Sequence, residues 1–278
     1  MIHALFEYQF MQNALIASIL ASIVCGIIGV IVIEKKLVMM SGGIAHTAYG
    51  GVGLGYLLGF EPIIGAFVFS ISAALGIGAI KRRGGVQADV IIGLFWSLGM
   101  ALGIVFIALM PGYPPDLNSY LFGNILSVTR ADLYLMILLT FFIVFIVIAL
   151  FHDWKAYLFD EEFASIIGIN TAFLEYLLLI LVAMTVVVLI RVAGIILVLA
   201  LLTAPAAMAS IFLKKLKSRM IFAVLFGSFF CIIGLWISYK LNIASGACIV
   251  ILSVVIYFLI YAIHTVRIKM KRKSIALK

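Results

Sequence analysis

Nine apolar runs follow one another along this chain, most of them separated by only a few residues: 11–33, 37–59, 62–80, 88–110, 132–151, 172–191, 194–213, 220–239 and 244–265. Each supplies close to the roughly 20 residues that a helix needs to cross ~30 Å of hydrocarbon. Inside a bilayer every backbone amide must find its partner within the protein, so runs of this kind become helices. Composition agrees: 66% of the residues are hydrophobic and 11% are charged, where a soluble domain carries about 25% charged residues. The expected fold is an all-α integral membrane protein, a polytopic bundle of about nine transmembrane helices. No polar linker is long enough to divide it, so residues 1–278 are expected to form a single transmembrane domain. The first run has no basic segment before it and no cleavage-like site after it, and is expected to be a crossing in its own right.

Basic residues set the expected orientation. Lysines and arginines number 19 against 11 acidic residues, an excess that would suit nucleic acid if it were gathered on one face. It is instead scattered in short clusters between apolar runs, so no nucleic-acid partner is expected. Counted alternately along nine crossings, 16 of the 19 fall on the side of the RIKMKRK tail, while Arg130, Arg191 and Lys240 fall on the other. Cytoplasmic loops carry such an excess, which places the C-terminus in the cytoplasm and the N-terminus outside. Cys25, Cys231 and Cys248 all lie in apolar runs without metal-ligand spacing, and are expected to be small core residues.

The second run is unlike the others. SGGIAHTAYGGVGLG, residues 41–55, carries His46 and six glycines within a span-length segment. On a helix Gly42, His46, Gly50 and Gly53 share a face, since positions three and four apart stack. This face is expected to form a groove around the imidazole. Gly51 and Gly55 have the small-xxx-small spacing that lets another helix approach closely. From Leu37, His46 is about 14 Å along a helix, near mid-membrane, where an ionisable side chain usually faces a cavity, a pathway or a partner. The competing reading is a tightly packed helix whose histidine only hydrogen-bonds a neighbour.

Other ionisable residues speak more quietly. Asp89 opens the fourth run beside Lys81, Arg82 and Arg83, as an interfacial carboxylate or a candidate pathway carboxylate. Glu175 and Arg191 bracket the sixth run, where snorkelling accounts for them. Pro205 lies inside the seventh run and is expected to kink it. In the outer stretch after Pro111, Tyr120, Leu121, Phe122 and Ile125 suggest a short element against the bundle. The longest inner connection is HDWKAYLFDEEFASIIGIN, residues 152–170. Asp160, Glu161 and Glu162 suit a helix start and Gly168 a helix end. Phe163 and Ala164 on its apolar side would rest on the lipid interface or dock a soluble partner. The chain lacks a phosphate-binding G-x-x-x-x-G-K-[ST] loop, an H-E-x-x-H zinc helix and a G-x-S-x-G elbow. That speaks against an intramembrane enzyme.

Several stretches in the same order carry a resemblance. MSGGIAHTAYGGVGLG, ADVIIGLFWSLGMALG, DLNSYLFGNILSVTRAD, FDEEFASIIGI, GIILVLALLTAPAAMA and ISYKLNIASGACIV together resemble the membrane permeases of bacterial ABC importers for zinc, manganese or iron. The likeness runs over nearly the whole chain. It implies a multi-pass protein of the bacterial inner membrane that does no covalent chemistry itself. It also implies a permease homodimer, two copies of an ATP-binding cassette subunit and an extracytoplasmic metal-binding protein. Asp160, Glu161, Phe163, Ala164 and Gly168 would then belong to the ATPase-docking loop, and His46 would contact the ion in transit. No permanently bound cofactor is implied, only a transported divalent metal ion. The family's aspartate four residues before the histidine is Gly42 here. Loss of that oxygen ligand favours zinc over manganese, because imidazole suits zinc and carboxylate suits manganese. The alternatives are a permease for a metal chelate or cofactor, and a secondary carrier without an ATPase.

Overall fold

The computed structural model describes residues 8–84, 87–112, 123 and 125–276. Among these every regular element is helical: α1 (Gln9–Glu34), α2 (Val38–Leu58), α3 (Pro62–Arg83), α4 (Ala88–Leu109), a 3-10 turn (Ile125–Ser127), α5 (Arg130–Ala149), α6 (Phe151–Phe159), α7 (Glu161–Ile166), α8 (Thr171–Phe212), α9 (Leu216–Leu241) and α10 (Ser245–Ala276). The helices start and stop within a few residues of the apolar runs. The last is the exception: α10 continues through the basic tail to Ala276, with Arg267 and Lys269 exposed.

Seven of these helices are long and apolar enough to cross a membrane. α2 falls outside that set because its glycines and His46 dilute its hydropathy, although its 21 residues reach about 31 Å. α8 is the opposite case. Its 42 residues would extend about 63 Å, twice the hydrocarbon thickness. It is interrupted at Gly194, with φ 74° and ψ 161°, a region that only glycine adopts without strain. The interruption falls where the sixth and seventh apolar runs meet. Pro205, where a kink is expected, is buried within a helical stretch, and the backbone break at Gly194 lies eleven residues before it. Gly123, also at positive φ, fits its backbone against Ala193 and Gly194, and an added Cβ there would overlap them. Ile125, in the following turn, is buried. Tyr120, Leu121 and Phe122, expected to lie on the bundle, fall outside the described residues.

The core is built around α8, which buries side chains along its whole length and packs against α1, α3, α9 and α10. α4, α5 and α10 turn apolar surface outward, as Leu94, Leu98, Phe141, Ile148, Ile251 and Phe258 illustrate. Side chains facing out in this way suit acyl chains better than water. Cys25, Cys231 and Cys248 are buried and unbridged.

Charges gather at the helix ends and are paired there. Glu175 is buried and accepts from Lys81 Nζ at 2.8 Å and Arg82 Nε at 2.7 Å, tying α8 to α3. At the other end Arg191 reaches Asp132 at 3.0 Å and Glu61 at 3.1 Å. Asp132 also closes a capping box with Thr129 at the start of α5. Snorkelling was the sequence expectation for Glu175 and Arg191. The fold instead uses both as cross-links: Glu175 is buried against its two cations, while Arg191 stays exposed and bridges Asp132 and Glu61.

Replacing Gly194 with Ala forces a Cβ into a glycine-only conformation, at a cost of about 1–3 kcal/mol. The detergent-solubilised protein should then unfold at a lower temperature. Gly93→Ala is the control: it lies on an outward face of α4 with nothing within 4 Å of an added Cβ, and should leave the midpoint level or slightly raised. Equal midpoints for Gly194→Ala and the parent would show that the break carries no conformational demand.

Candidate functional site

α2 is the helix on which the site is built, and glycine decides how it sits. On its α3 side, a Cβ on Gly51 would overlap the Gly65 carbonyl, and one on Gly55 would come within 2.6 Å of Pro62 Cα. On its α4 side, a Cβ on Gly50 would lie 2.9 Å from the Gly99 carbonyl oxygen, and one on Gly53 would lie 2.7 Å from the Gly103 carbonyl oxygen. The backbones of three helices are thus brought nearly into contact. Thr47 adds a polar tie, its hydroxyl lying 2.8 Å from the Gly43 carbonyl and 3.0 Å from the Phe95 carbonyl of α4.

This arrangement corrects the expected groove. Gly42, His46, Gly50 and Gly53 do share a face, but α4 packs into it. Gly50 and Gly53 are contact points for the α4 backbone, so they do not line an open channel beside the histidine. The physical reason is that a stripe without side chains is filled by the neighbour that fits it most closely.

His46 stands eight residues into α2, about 12 Å from its start and near the middle of its length. Its ring stacks on the indole of Trp96 from α4, with centroids 4.0 Å apart and planes 10° from parallel. Nδ1 is buried and has no hydrogen-bond partner among the described residues. No hydrogen bond to a described neighbour accounts for this nitrogen. An orphaned ring nitrogen in a hydrocarbon setting is costly, and in the tautomer with the proton on Nε2 its lone pair is open to an electrophile.

Trp96 was not singled out in the sequence, yet it is the neighbour of Gly42 as well as of His46. A Cβ built on Gly42 would meet the indole edge at 3.5 Å, an ordinary contact, with no closer neighbour. The space one turn before the histidine is therefore bordered by the indole, and no carboxylate shares it. Among the described residues no group of three or more His, Cys, Asp or Glu side chains is placed to hold a metal ion. Asp89 does not join His46: it is exposed in the first turn of α4, seven residues or about 10 Å along the axis from Trp96.

The second feature is the inner connection. Asp160 caps α7, its carboxylate accepting from the amides of Glu162 and Phe163 at 3.0 Å each. Gly168, at φ 90°, ends the turn, while the Ile169 amide donates back to the Ala164 carbonyl at 3.0 Å. The expected helix is therefore present, with its expected start and stop. Lys35, at the end of α1, pairs with Glu161 at 2.7 Å and lies over the Tyr157 ring at 3.6 Å. Burial, with a smaller contribution from Glu161, pushes the Tyr157 phenol up from its ordinary pKa. Ala164 is fully buried, so it seats α7 from beneath and offers nothing to a partner. Phe163, Ile166 and Ile167 are exposed, as is Phe159 just before the cap.

With this geometry in view, the comparisons are specific. The model of the ABC 3 transport family matches residues 7–264. The manganese transport system membrane protein MntC of Listeria monocytogenes is 36% identical over 260 residues, covering 94% of this chain and 92% of that protein. The chelated iron transport system membrane protein YfeD of Yersinia pestis is 32% identical over 259 residues, covering 93% and 86%. A solved structure titled PsaBC from Streptococcus pneumoniae in complex with Fab superposes with a TM-score of 0.85 at 33% identity, covering 94% of each chain. A family match over almost the whole length, on a helical bundle built to span a membrane, identifies this chain as a multi-pass membrane protein of the ABC 3 transport family.

Proposed function

We propose that the chain is the translocation subunit of an ATP-driven importer of a divalent transition metal, with the energy supplied by a separate ATP-binding cassette subunit. The observation that carries this reading is His46, a mid-helix imidazole with an orphaned buried nitrogen in a chain of a transport family. A neutral imidazole offers one lone pair to a divalent ion, and protonation removes it. Stacking on Trp96 holds the ring plane of the imidazole. The names of MntC and YfeD point to manganese or iron as cargo. Zinc is the second reading, favoured by Gly42, because a site without a hard oxygen ligand suits the softer ion. A secondary carrier fits poorly with membership of this family.

One imidazole does not make a metal site. Two copies around a two-fold axis would bring two to a shared pathway, and the outward apolar surface of α4 supports such a homodimer. Nine crossings follow if α2 and both halves of α8 each traverse the membrane, with the N-terminus outside and the C-terminus in the cytoplasm. The inner connection then faces the cytoplasm, where Phe159, Phe163, Ile166 and Ile167 form an apolar knob for the ATPase, one per copy. An extracytoplasmic binding protein would deliver the ion at the Arg191 end.

His46→Gln keeps size and polarity but is a poor metal ligand, and should lower uptake by about tenfold or more with assembly intact. Gly42→Asp, whose Cβ would make an ordinary 3.5 Å contact with Trp96, should preserve transport and shift competition toward manganese. Parental uptake in a correctly assembled His46→Gln complex would make the histidine a packing residue.

Orientation is checked by thiol labelling in a cysteine-free background. Lys240→Cys should react with an impermeant reagent in intact cells, and Lys269→Cys should not. Docking is checked with Ile166→Asp, which places a charge on an 82% exposed apolar side chain. ATPase copurification should fall sharply while the permease stays folded, and retention at the parental level would remove α7 from the contact.

A further inference from the structure

One cavity of the described chain adjoins the docking knob, sharing Phe159 and Phe163 with it, but its basic residues are used by nothing above. It measures about 950 Å³ and opens between the end of α1, the length of α6, Phe163 of α7 and the segment that leads into α9. Lys155, Lys214, Lys215, Lys217 and Arg219 line it, against the single carboxylate of Glu34. Arg219 pairs with Glu34 and donates to the Ser210 hydroxyl. The four lysines make no ion pair among the described residues.

Arg219 is only 9% exposed, and its charge is already met, since two of its guanidinium nitrogens are engaged by Glu34 and Ser210. The single carboxylate of the lining is therefore committed, and four ammonium groups are left around one cavity without a counter-charge. An anion in the cavity relieves their repulsion.

The remaining lining says which anion. Phe151, Leu158, Phe159, Phe163 and Leu216 are apolar. A group held there has its charge among the lysines and its carbon skeleton against aromatic and aliphatic side chains. We propose that this cavity binds the phosphodiester headgroup of an anionic phospholipid, with the phosphate among the lysines and the glycerol backbone against Phe151 and Leu216. Basic pockets between membrane helices at the positively charged boundary are suited to such headgroups. Free phosphate would satisfy the charges but leave the apolar lining unused, and so would an acidic segment of a soluble partner.

The full-length permease in mild detergent provides the test. Adding phosphatidylglycerol should raise its thermal unfolding midpoint by about 5 °C at saturation, whereas phosphatidylcholine and inorganic phosphate should not. Lys214→Gln with Lys217→Gln, which leaves Arg219 and its partners untouched, should abolish most of that shift and the retained lipid seen by native mass spectrometry. Lys155→Gln, on a different element, serves if the double variant does not fold. Lys269→Gln, on the α10 tail, should keep the parental shift. An equal shift with phosphatidylcholine, a shift reproduced by inorganic phosphate, or an undiminished shift in the lysine variants would overturn the proposal. Loss of ATPase copurification from the lysine variants with lipid retention unchanged would do so as well, and would give the cavity to the soluble subunit. None of these readouts depends on metal transport, so the site stands or falls apart from His46.

Discussion

Backbone-to-backbone contact across α2 is the constraint on which the arrangement of this protein rests. In lipid, apolar side chains gain little by leaving acyl chains for one another, so helices associate through close van der Waals packing where small residues permit it. Gly51 against Gly65 fixes α3, and Gly50 and Gly53 against Gly99 and Gly103 fix α4. Everything distinctive about the candidate site follows from that closeness. Trp96 can lie flat on His46 only because α4 stands next to α2, and Thr47 can reach the Phe95 carbonyl for the same reason. A methyl group at any of these three glycine contacts would push a whole helix outward.

Ionic pairing does for the ends of the bundle what glycine does for its middle. Glu175 with Lys81 and Arg82 closes one end, and Arg191 with Asp132 and Glu61 closes the other. Exposed pairs contribute little, about 0–1 kcal/mol each. The buried Glu175 carboxylate, held by two cations at hydrogen-bond distance, matters more to register than to total stability, since it lets α3 and α8 slide past one another only at the expense of an unpaired charge.

The sequence made the helices legible because span length and hydropathy are local properties. It located the break of α8, since two apolar runs of span length cannot be one crossing, and it located α7, since Asp160 and Gly168 mark a start and a stop by their own chemistry. It misplaced what depends on distant neighbours. The glycine face of α2 looked like an open groove because the sequence does not say which helix will fill it. Glu175 and Arg191 looked like isolated interfacial charges because their partners are dozens of residues away. Ala164 looked like part of a docking face because six-residue helices have too few turns to tell inside from outside. Trp96 was silent for the same reason: one aromatic among many becomes informative only when its ring is found on an imidazole. The missing carboxylate at Gly42 was visible from the start, and the structure adds that an indole borders the vacated space.

A side chain can swing out of the way, but a glycine has nothing to swing. Along the contacts of α2 with α3 and α4, the atoms that touch belong largely to main chain, so no change of rotamer can widen the gap between those helices. An ion passing His46 would have to be admitted by helices moving as solid pieces, sliding or rocking against one another. The two rings of His46 and Trp96 would be the exception, free to part without disturbing the backbone. Such a passage is stiff by construction: it has few intermediate widths, and it opens when the pieces are driven apart.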